Sequence, residues 1–171
     1  MTSQLNTTPS SPHGEQQFKP NTTVAAVIHC QGKFLLVEEI EHDQRVFNQP
    51  AGHIEAGESL LAACQREVLE ETGLTLSPDY ISGIYYFHRP DLSLYFLRFC
   101  FVIELDECLT ATPQDDEIIA CHWLTLAQIQ QRKKQLRSAM VLDCIDDYLA
   151  INDVNNQSKQ KIPLEMITTN L

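Results

Sequence analysis

Three glutamates on one short segment are the residues whose types and spacing point most directly to chemistry. Glu67, Glu70 and Glu71 stand within GHIEAGESLLAACQREVLEETGL, which runs from Gly52 to Leu74. Because an α-helix turns by ~100° per residue, the three carboxylates would share an arc of about 100° on a helix. Carboxylates this close repel one another, and a hard divalent ion such as Mg²⁺, or Mn²⁺ as a substitute, relieves that repulsion directly. The spacing therefore indicates a metal site on a helix face.

A solvated charged helix face is the alternative for this acidic cluster taken alone. Arg66 offsets part of the charge through its i, i+4 relation to Glu70, but one guanidinium does not neutralise several acids. The wider segment favours the metal site, because it fits the pattern G-x5-E-x7-R-E-U-x-E-E-x-G-U throughout, where U is bulky and aliphatic. The matching positions are Gly52, Glu58, Arg66, Glu67, Val68, Glu70, Glu71, Gly73 and Leu74. A chance match in a chain of this length is on the order of one in a million.

The surrounding sequence predicts the elements that must position these side chains. A helix is expected from about Ser59 to Thr72, ended by Gly73. Apolar and β-branched runs predict strands at 21–30, 33–40, 80–89, 94–105 and 118–124, and helical patterns return at about 126–135 and 138–151. The first two strands and the next two would form hairpins. Strands and helices are mixed without strict alternation, which predicts an α+β or mixed α/β fold.

Composition and charge limit the partners. The 171 residues are 43% hydrophobic and 20% charged, with a formal net charge of −11. No apolar run approaches the roughly 20 residues of a membrane span, and nucleic-acid binding needs clustered Lys and Arg. We therefore expect a soluble protein with neither a membrane nor a nucleic acid as partner. An acidic protein that handles phosphate must do so through metal ions.

The chain is expected to divide into three parts. Residues 1–17 are polar, lack the features of a secretory signal and are interpreted as a flexible tail. Residues 18–151 form the domain, and 152–171 form an extension that docks on it through 162–167; a lip over the active site is the alternative for that segment. Six cysteines show no ligand spacing and are expected to be free thiols in a reducing cytoplasm.

The complete pattern resembles the box of the Nudix hydrolases, and the resemblance implies an α/β/α sandwich around a mixed β-sheet. It implies that Glu67, Glu70 and Glu71 ligate Mg²⁺ together with the main-chain carbonyl of Gly52. The implied reaction is metal-assisted hydrolysis of a phosphate anhydride. Glu58 and Arg66 would orient the carboxylates, Glu67 is the first choice of general base, and Glu117 or Asp115 either completes the metal site, supplies the base instead or is surface charge.

Further segments resemble the NudJ-type group of bacterial Nudix phosphatases over about residues 18–167. They are FKPNTTVAAVIHCQGKFLLVEE, FNQPAGH, FLRFCFVIEL and PLEMI. This resemblance implies a cytoplasmic monomer that releases orthophosphate from nucleoside tri- and diphosphates and from thiamine-type diphosphates such as hydroxymethylpyrimidine diphosphate. The alternatives are an ADP-ribose pyrophosphatase, for which Pro90 is the weak sign, a non-catalytic domain that senses a nucleotide, and an isomerase of isopentenyl diphosphate.

Three side chains outside the box are candidates for binding the substrate. Arg98 interrupts the apolar run LYFLRFCFV, where a charged group is costly unless it is paired or functional. It is expected either to face the substrate phosphates or to pair with a structural carboxylate. Tyr86 and Arg89 belong to a strand of which one face is core, and the other face could stack a base or hold a phosphate.

Overall fold

The computed structural model describes residues 18–156 and 158–171, so the predicted tail at 1–17 lies outside the described residues. The strands within that part are β1 (Asn21–Cys30), β2 (Lys33–Glu41), β3 (Gln44–Asn48), β4 (Ala51–His53), β5 (Tyr80–Arg89), β6 (Leu94–Leu105) and β7 (Ile118–Thr125). The helices are α1 (Leu60–Thr72), α2 (Leu126–Gln131) and α3 (Met140–Asn152), with 3₁₀ turns at Lys133–Gln135 and Leu164–Met166. None of these helices is long and apolar enough to cross a membrane.

The strands form one mixed sheet in the order β3-β2-β1-β6-β5. β1 and β6 are parallel, whereas β1 and β2, and β5 and β6, are antiparallel as the predicted hairpins require. β4 pairs with the beginning of β1, and β7 pairs with β2. One edge of β1 therefore pairs with β6, and its other edge pairs with β4 near the beginning of the strand and with β2 near its end.

Helices cover both faces of the sheet, because the side chains of β1 alternate between two cores. Val24, Ala26 and Ile28 pack in a cluster that includes residues of α1, and Ala25 and Val27 pack in a cluster that includes residues of α2 and α3. The expected α/β/α sandwich around a mixed sheet is confirmed.

Both ends of α1 are fixed by local bonds. The Ser59 hydroxyl accepts a hydrogen bond from Ala62 N at 3.0 Å, and Gly73 ends the helix with φ of 70°. The loop between β6 and β7 then binds the end of the helix, since Thr112 N donates to Thr72 O at 2.8 Å and Asp115 N donates to Glu70 O at 2.9 Å. This contact fixes the position of the acidic residues that close the loop.

Gly73→Ala is expected to lower both the melting temperature and the turnover. The left-handed conformation costs a non-glycine residue ~1–2 kcal/mol, and a Cβ at Gly73 would overlap Thr112 O, a backbone atom that cannot rotate away. Gly32→Ala is the matched control, because Gly32 has φ of 76° but free space around its Cβ position. Thermal melts and kcat should show a larger loss for Gly73→Ala; equal losses would mean that the Thr112 contact contributes nothing.

Two predicted features differ in detail. The helix expected at 126–135 ends at Gln131, after which a 3₁₀ turn covers Lys133–Gln135, and the helix expected at 138–151 lies at Met140–Asn152. The strands β3 and β4 were not predicted, because five and three residues are too few to show a period.

The prediction that all six cysteines are free thiols is wrong for one pair. Cys30 and Cys108 form a disulfide, with Cα atoms 5.4 Å apart. The parallel register places Cys30 opposite Leu105, so the chain brings Cys108 back to the end of β1 only three residues later. Cys64, Cys100, Cys121 and Cys144 are free.

The carboxy-terminal segment lies along β5. Ile162 exchanges backbone hydrogen bonds with Ile81 at 2.9 and 3.0 Å. Ile162, Leu164 and Ile167 are partly buried against the core cluster on the α1 side of the sheet.

Candidate active site

Arg66 is the centre of the charge network on α1. Its guanidinium donates to both oxygens of Glu58, at 2.8 and 3.1 Å, to Glu67 Oε1 at 2.7 Å and to Glu70 Oε2 at 3.0 Å. It also donates to His53 O at 2.9 Å, which ties the helix to β4. The hydrogen bonds from Arg66 hold the pKa of Glu58 below its ordinary value. One arginine thus fixes three of the carboxylates of the box.

Glu71 lies on the buried side of the helix. Its side chain accepts a hydrogen bond from Ala51 N at 2.9 Å, which fixes it against β4. Burial raises the pKa of Glu71 to about 9, and the hydrogen bond from Ala51 N opposes that shift while the nearby charges of Glu67 and Glu39 add to it. Burial also raises the pKa of Glu67. Among the carboxylates of α1, Glu67 and Glu71 are therefore the two whose ionised forms burial disfavours, and a bound cation would stabilise both.

Gly52 stands directly beside Glu67. A Cβ on Gly52 would overlap the Glu67 carboxylate. The box glycine therefore leaves space that the carboxylate occupies.

A pocket of about 300 Å³, here called the carboxylate pocket, opens between α1, β4 and the loop before β7. Its acidic lining consists of Glu39, Glu55, Glu67, Glu71, Asp115 and Glu117. Glu70 is not among the lining residues, and its side chain is 47% exposed. Glu67, Glu71, Glu117 and Gly52 are thus brought together, whereas Glu70 lies on the outer side of Arg66.

The carboxylate pocket suits a hard divalent ion that takes only some of its ligands from the protein. Among the described residues, no three carboxylate, imidazole or thiol groups converge closely enough to hold an ion alone. Arg66 accounts for this in part, since it holds Glu67 and Glu70 toward itself. Mg²⁺ commonly takes only one or two protein carboxylates and completes its shell with water and substrate phosphates. Partly buried Glu67 and buried Glu71 at this pocket fit that demand.

A second cavity, here called the aromatic cavity, adjoins the carboxylate pocket. It measures about 280 Å³, and both cavities are lined by Ala51, Gly52, His53 and Arg137. Its other walls include Thr23, Asn48, Phe87, Arg89, Phe96 and Arg98. A molecule with an acidic end and a planar end could occupy both spaces at once.

The three predicted substrate residues divide between the two faces of the sheet. Arg98 and Arg89 line the aromatic cavity, and Arg89 is also paired with Asp91 at 2.6 Å and Glu41 at 3.3 Å. Tyr86 is 61% exposed, stacks with Tyr95 and is not among the residues that line these two cavities, so its assignment to the substrate site stays a prediction.

Tyr86 and Arg89 lie three residues apart on β5 and therefore face opposite sides of the sheet, and a register shift between Ile81 and Gly83 decides which of them faces the cavity. The shift reverses the alternation of side chains, so that Phe87 and Arg89 line the cavity while Tyr86 does not.

Two residues of the site were missed by sequence reasoning. Arg137 lines both cavities and donates to Glu39 Oε2 at 2.7 Å, and its backbone N donates to Phe47 O at 2.9 Å. Glu39 lies on β2 within the apolar run that precedes β3, and burial raises its pKa. The sequence signal for Glu39 was its position beside Glu38 in a predicted strand, where neighbouring side chains lie on opposite faces of the sheet. No sequence signal indicated Arg137.

Comparison with known proteins gives the family. A family model described as the NUDIX domain matches residues 18–143, which is more than half of the chain. The chain belongs to the Nudix family.

Relatives within the Nudix family are similar over most of the chain. The protein named Phosphatase NudJ from Escherichia coli strain K12 is 43% identical over 150 residues, which cover 88% of this chain and 92% of that protein. The protein of the same name from Shigella flexneri matches equally. The resemblance to NudJ-type proteins is therefore confirmed at the level of sequence.

Solved structures agree with the Nudix fold. A NUDIX hydrolase from Nitrosomonas europaea superposes with a TM-score of 0.79 at 37% identity, covering 89% of this chain and 98% of that one. The NUDIX domain of Shewanella oneidensis NrtR, solved with ADP ribose, gives a TM-score of 0.66 at 22% identity, covering 81% and 92% of the two chains. The second likeness shows the Nudix fold alone.

Proposed function

We propose that this Nudix hydrolase releases orthophosphate from nucleoside tri- and diphosphates and from small diphosphates of the thiamine type, with Mg²⁺ as its cofactor. The class of enzyme, a hydrolase acting on phosphate anhydrides, follows from the family and from the similarity to NudJ. The observation that carries the finer proposal is the junction of the two cavities at Gly52, His53 and Arg137. A cytoplasmic location and a monomeric state stay predictions.

The carboxylate pocket would hold the phosphate end of the substrate. Mg²⁺ supplies the positive charge that lets an anhydride bind among acids, and it makes water more acidic. Glu67, Glu71 and the carbonyl of Gly52 would hold the ion, while Glu58 and Arg66 keep Glu67 in place through the bonds described above. Arg137 lies where both cavities meet and would contact the phosphate chain.

The general base has two candidates. Arg66 donates a hydrogen bond to Glu67 Oε1, so Glu67 Oε2 is the oxygen that would take the proton from the attacking water. Glu117 and Asp115 line the same pocket from the loop before β7, and Glu117 N is bonded to Asp115 Oδ1 at 2.8 Å. Either carboxylate of this loop could receive the proton instead, and kcat of Glu117→Gln and Asp115→Asn tests this, because near-normal kcat in both would leave Glu67 as the base.

Product analysis tests the proposed function. The purified protein with Mg²⁺ is incubated with CTP, CDP, ADP-ribose and hydroxymethylpyrimidine diphosphate, and orthophosphate, pyrophosphate and AMP are measured separately. We expect orthophosphate from CTP, CDP and the pyrimidine diphosphate. A Glu71→Gln protein purified in the same way controls for contaminating phosphatases.

Other products would overturn this proposal in distinct ways. AMP from ADP-ribose with little turnover of the other compounds would assign the chain to the ADP-ribose pyrophosphatases. Binding without turnover of any compound would favour a nucleotide-sensing domain.

A further inference from the structure

Arg98 is a buried cation without an anionic partner. The residue is 8% exposed on β6, in register with Thr23 of β1. Its Nε is 3.5 Å from Thr23 Oγ1, and its guanidinium carbon lies 5.5 Å from the centre of the Phe87 ring. Among the residues that the structure describes, no carboxylate pairs with Arg98, and its buried Nη1 has no hydrogen-bond partner. A buried charged donor needs an acceptor that the described protein residues do not supply, and the cavity that Arg98 lines is a place where a ligand could supply it.

Asn48 is a second buried side chain with an unsatisfied polar atom, and it lines the same cavity. Its side chain is buried, with the residue 2% exposed, and Oδ1 has no partner. Asn48 and Arg98 both line the aromatic cavity. Because a primary amide can offer either its oxygen or its nitrogen after a rotation, Asn48 can adapt to a donor or an acceptor, whereas Arg98 can only donate.

Flat apolar walls accompany these polar groups. Phe87 and Phe96 are cross-strand neighbours whose rings stack at 5.3 Å between centroids, with 14° between their planes. An aromatic wall favours a planar ring as ligand, since stacking requires a flat partner. The cavity therefore combines a stacking surface with two polar side chains that lack partners.

The position of Arg98 argues against a contact with the phosphates held in the carboxylate pocket. Thr23 is paired with His53 of β4 on one side and with Arg98 of β6 on the other. Two strand spacings of about 4.8 Å place Arg98 roughly 10 Å across the sheet from the strand that carries Gly52. Arg98 is absent from the residues that line the carboxylate pocket. This separation fits a nucleotide whose phosphates lie in the carboxylate pocket and whose base lies beside Arg98.

We propose that Arg98 and Asn48 bind the edge of a planar heterocycle in the substrate. The Arg98 guanidinium donates to a carbonyl or ring nitrogen at that edge, and the Asn48 amide pairs with the adjacent polar group. The proposal rests on the proposed function and narrows it to anhydrides that carry a planar heterocycle. Prenyl diphosphates and phosphates without a heterocycle have no polar ring edge for Arg98 to bind.

Two substrates with the same phosphate chain test this assignment. CTP and ribose 5-triphosphate differ in the cytosine base, which a hydroxyl group replaces in the second compound, and kcat/KM is measured for both with the wild type, Arg98→Met and Asn48→Ala. A hydrogen bond from a charged donor is worth a factor of at least ~10 in binding. Arg98→Met is expected to lower kcat/KM for CTP at least ~10-fold and to leave ribose 5-triphosphate within ~2-fold. Asn48→Ala is expected to act in the same direction without a change of charge.

Arg45→Met is the matched control, because Arg45 has an exposed side chain paired with Glu38 and does not line the aromatic cavity. It should leave the ratio of the two substrates unchanged. Binding of CMP, measured by calorimetry without metal, gives a readout apart from turnover, and Arg98→Met should weaken it by the same factor. If Arg98→Met does not fold, kcat/KM and CMP binding measured with Asn48→Ala still test the assignment.

Each outcome has a separate meaning. Equal losses on both substrates would show that Arg98 acts through the phosphates or the fold, and unchanged CMP binding in Arg98→Met and Asn48→Ala would also overturn ring recognition. A wild-type enzyme that prefers neither substrate contradicts the inference and leaves the proposed function standing. A wild type that hydrolyses neither substrate contradicts the proposed function, and CMP binding then tests the cavity alone.

Discussion

Glu67→Gln and Glu71→Gln are each expected to lower kcat at least ~10²-fold at saturating Mg²⁺. Each substitution removes one negative charge from the carboxylate pocket and keeps the size of the side chain. Glutamine at 71 can still accept the hydrogen bond from Ala51 N, and glutamine at 67 can still accept from Arg66. The loss should therefore come from weaker metal binding and, for Glu67, from loss of the proposed base.

Stability should change in the opposite direction to activity in Glu71→Gln. The folded-state pKa of Glu71 is raised to about 9, above the ordinary value of 4.5, because the carboxylate is buried. Its contribution to stability is fully present below about pH 4.5 and falls above that pH, because the unfolded chain ionises there while the buried group keeps its proton; it is lost as the pH rises through about 9. At pH 8 without metal, Glu71→Gln is expected to melt at the same or a higher temperature than the wild type.

Thermal melts with and without Mg²⁺ complete this experiment. The ion is expected to raise the melting temperature of the wild type by binding the folded state and relieving repulsion between carboxylates, and to raise that of Glu71→Gln less. Glu107→Gln, an exposed acid outside both cavities, is the control and should change neither kcat nor the response to Mg²⁺. Near-normal kcat in both Glu67→Gln and Glu71→Gln would falsify the metal assignment.

The part of the site on α1 was predictable because its causes are local. Ser59 and Gly73 mark the ends of the helix in the sequence, and the helical period alone brings Glu67, Glu70 and Glu71 to one side. The structure places the three acids in different environments, which the helical period does not predict. Glu71 is buried against β4, while Glu70 is half exposed beyond Arg66.

The remaining parts of the site depend on contacts between distant segments. Arg137 lies 98 residues after Glu39, and its role arises only when the loop before α3 meets β2. The facing of Tyr86 depends on a register shift that follows from pairing with β6, so alternation counted from the core end of β5 gives the wrong face. Cys30 and Cys108 likewise meet only because β1 and β6 run parallel.

Gly52→Ala is expected to lower kcat at least ~10²-fold while leaving the fold intact. A Cβ at this position would overlap the Glu67 carboxylate, which is the far end of a flexible side chain and can therefore move aside. That movement would break the 2.7 Å bond between Arg66 and Glu67 Oε1 and displace the proposed base. Measurement of kcat beside the melting temperature separates the two effects.

Gly83→Ala is the matched control for this substitution. A Cβ on Gly83 would come within 2.8 Å of the end of the Tyr85 ring, so it also pushes a flexible side chain, but one that does not line the carboxylate pocket. Both variants should melt near the wild-type temperature, and only Gly52→Ala should lose turnover. If Gly52→Ala retains activity, the main-chain carbonyl and the position of Glu67 tolerate the added methyl group. The close contact between the box glycine and this carboxylate would then have no part in the chemistry.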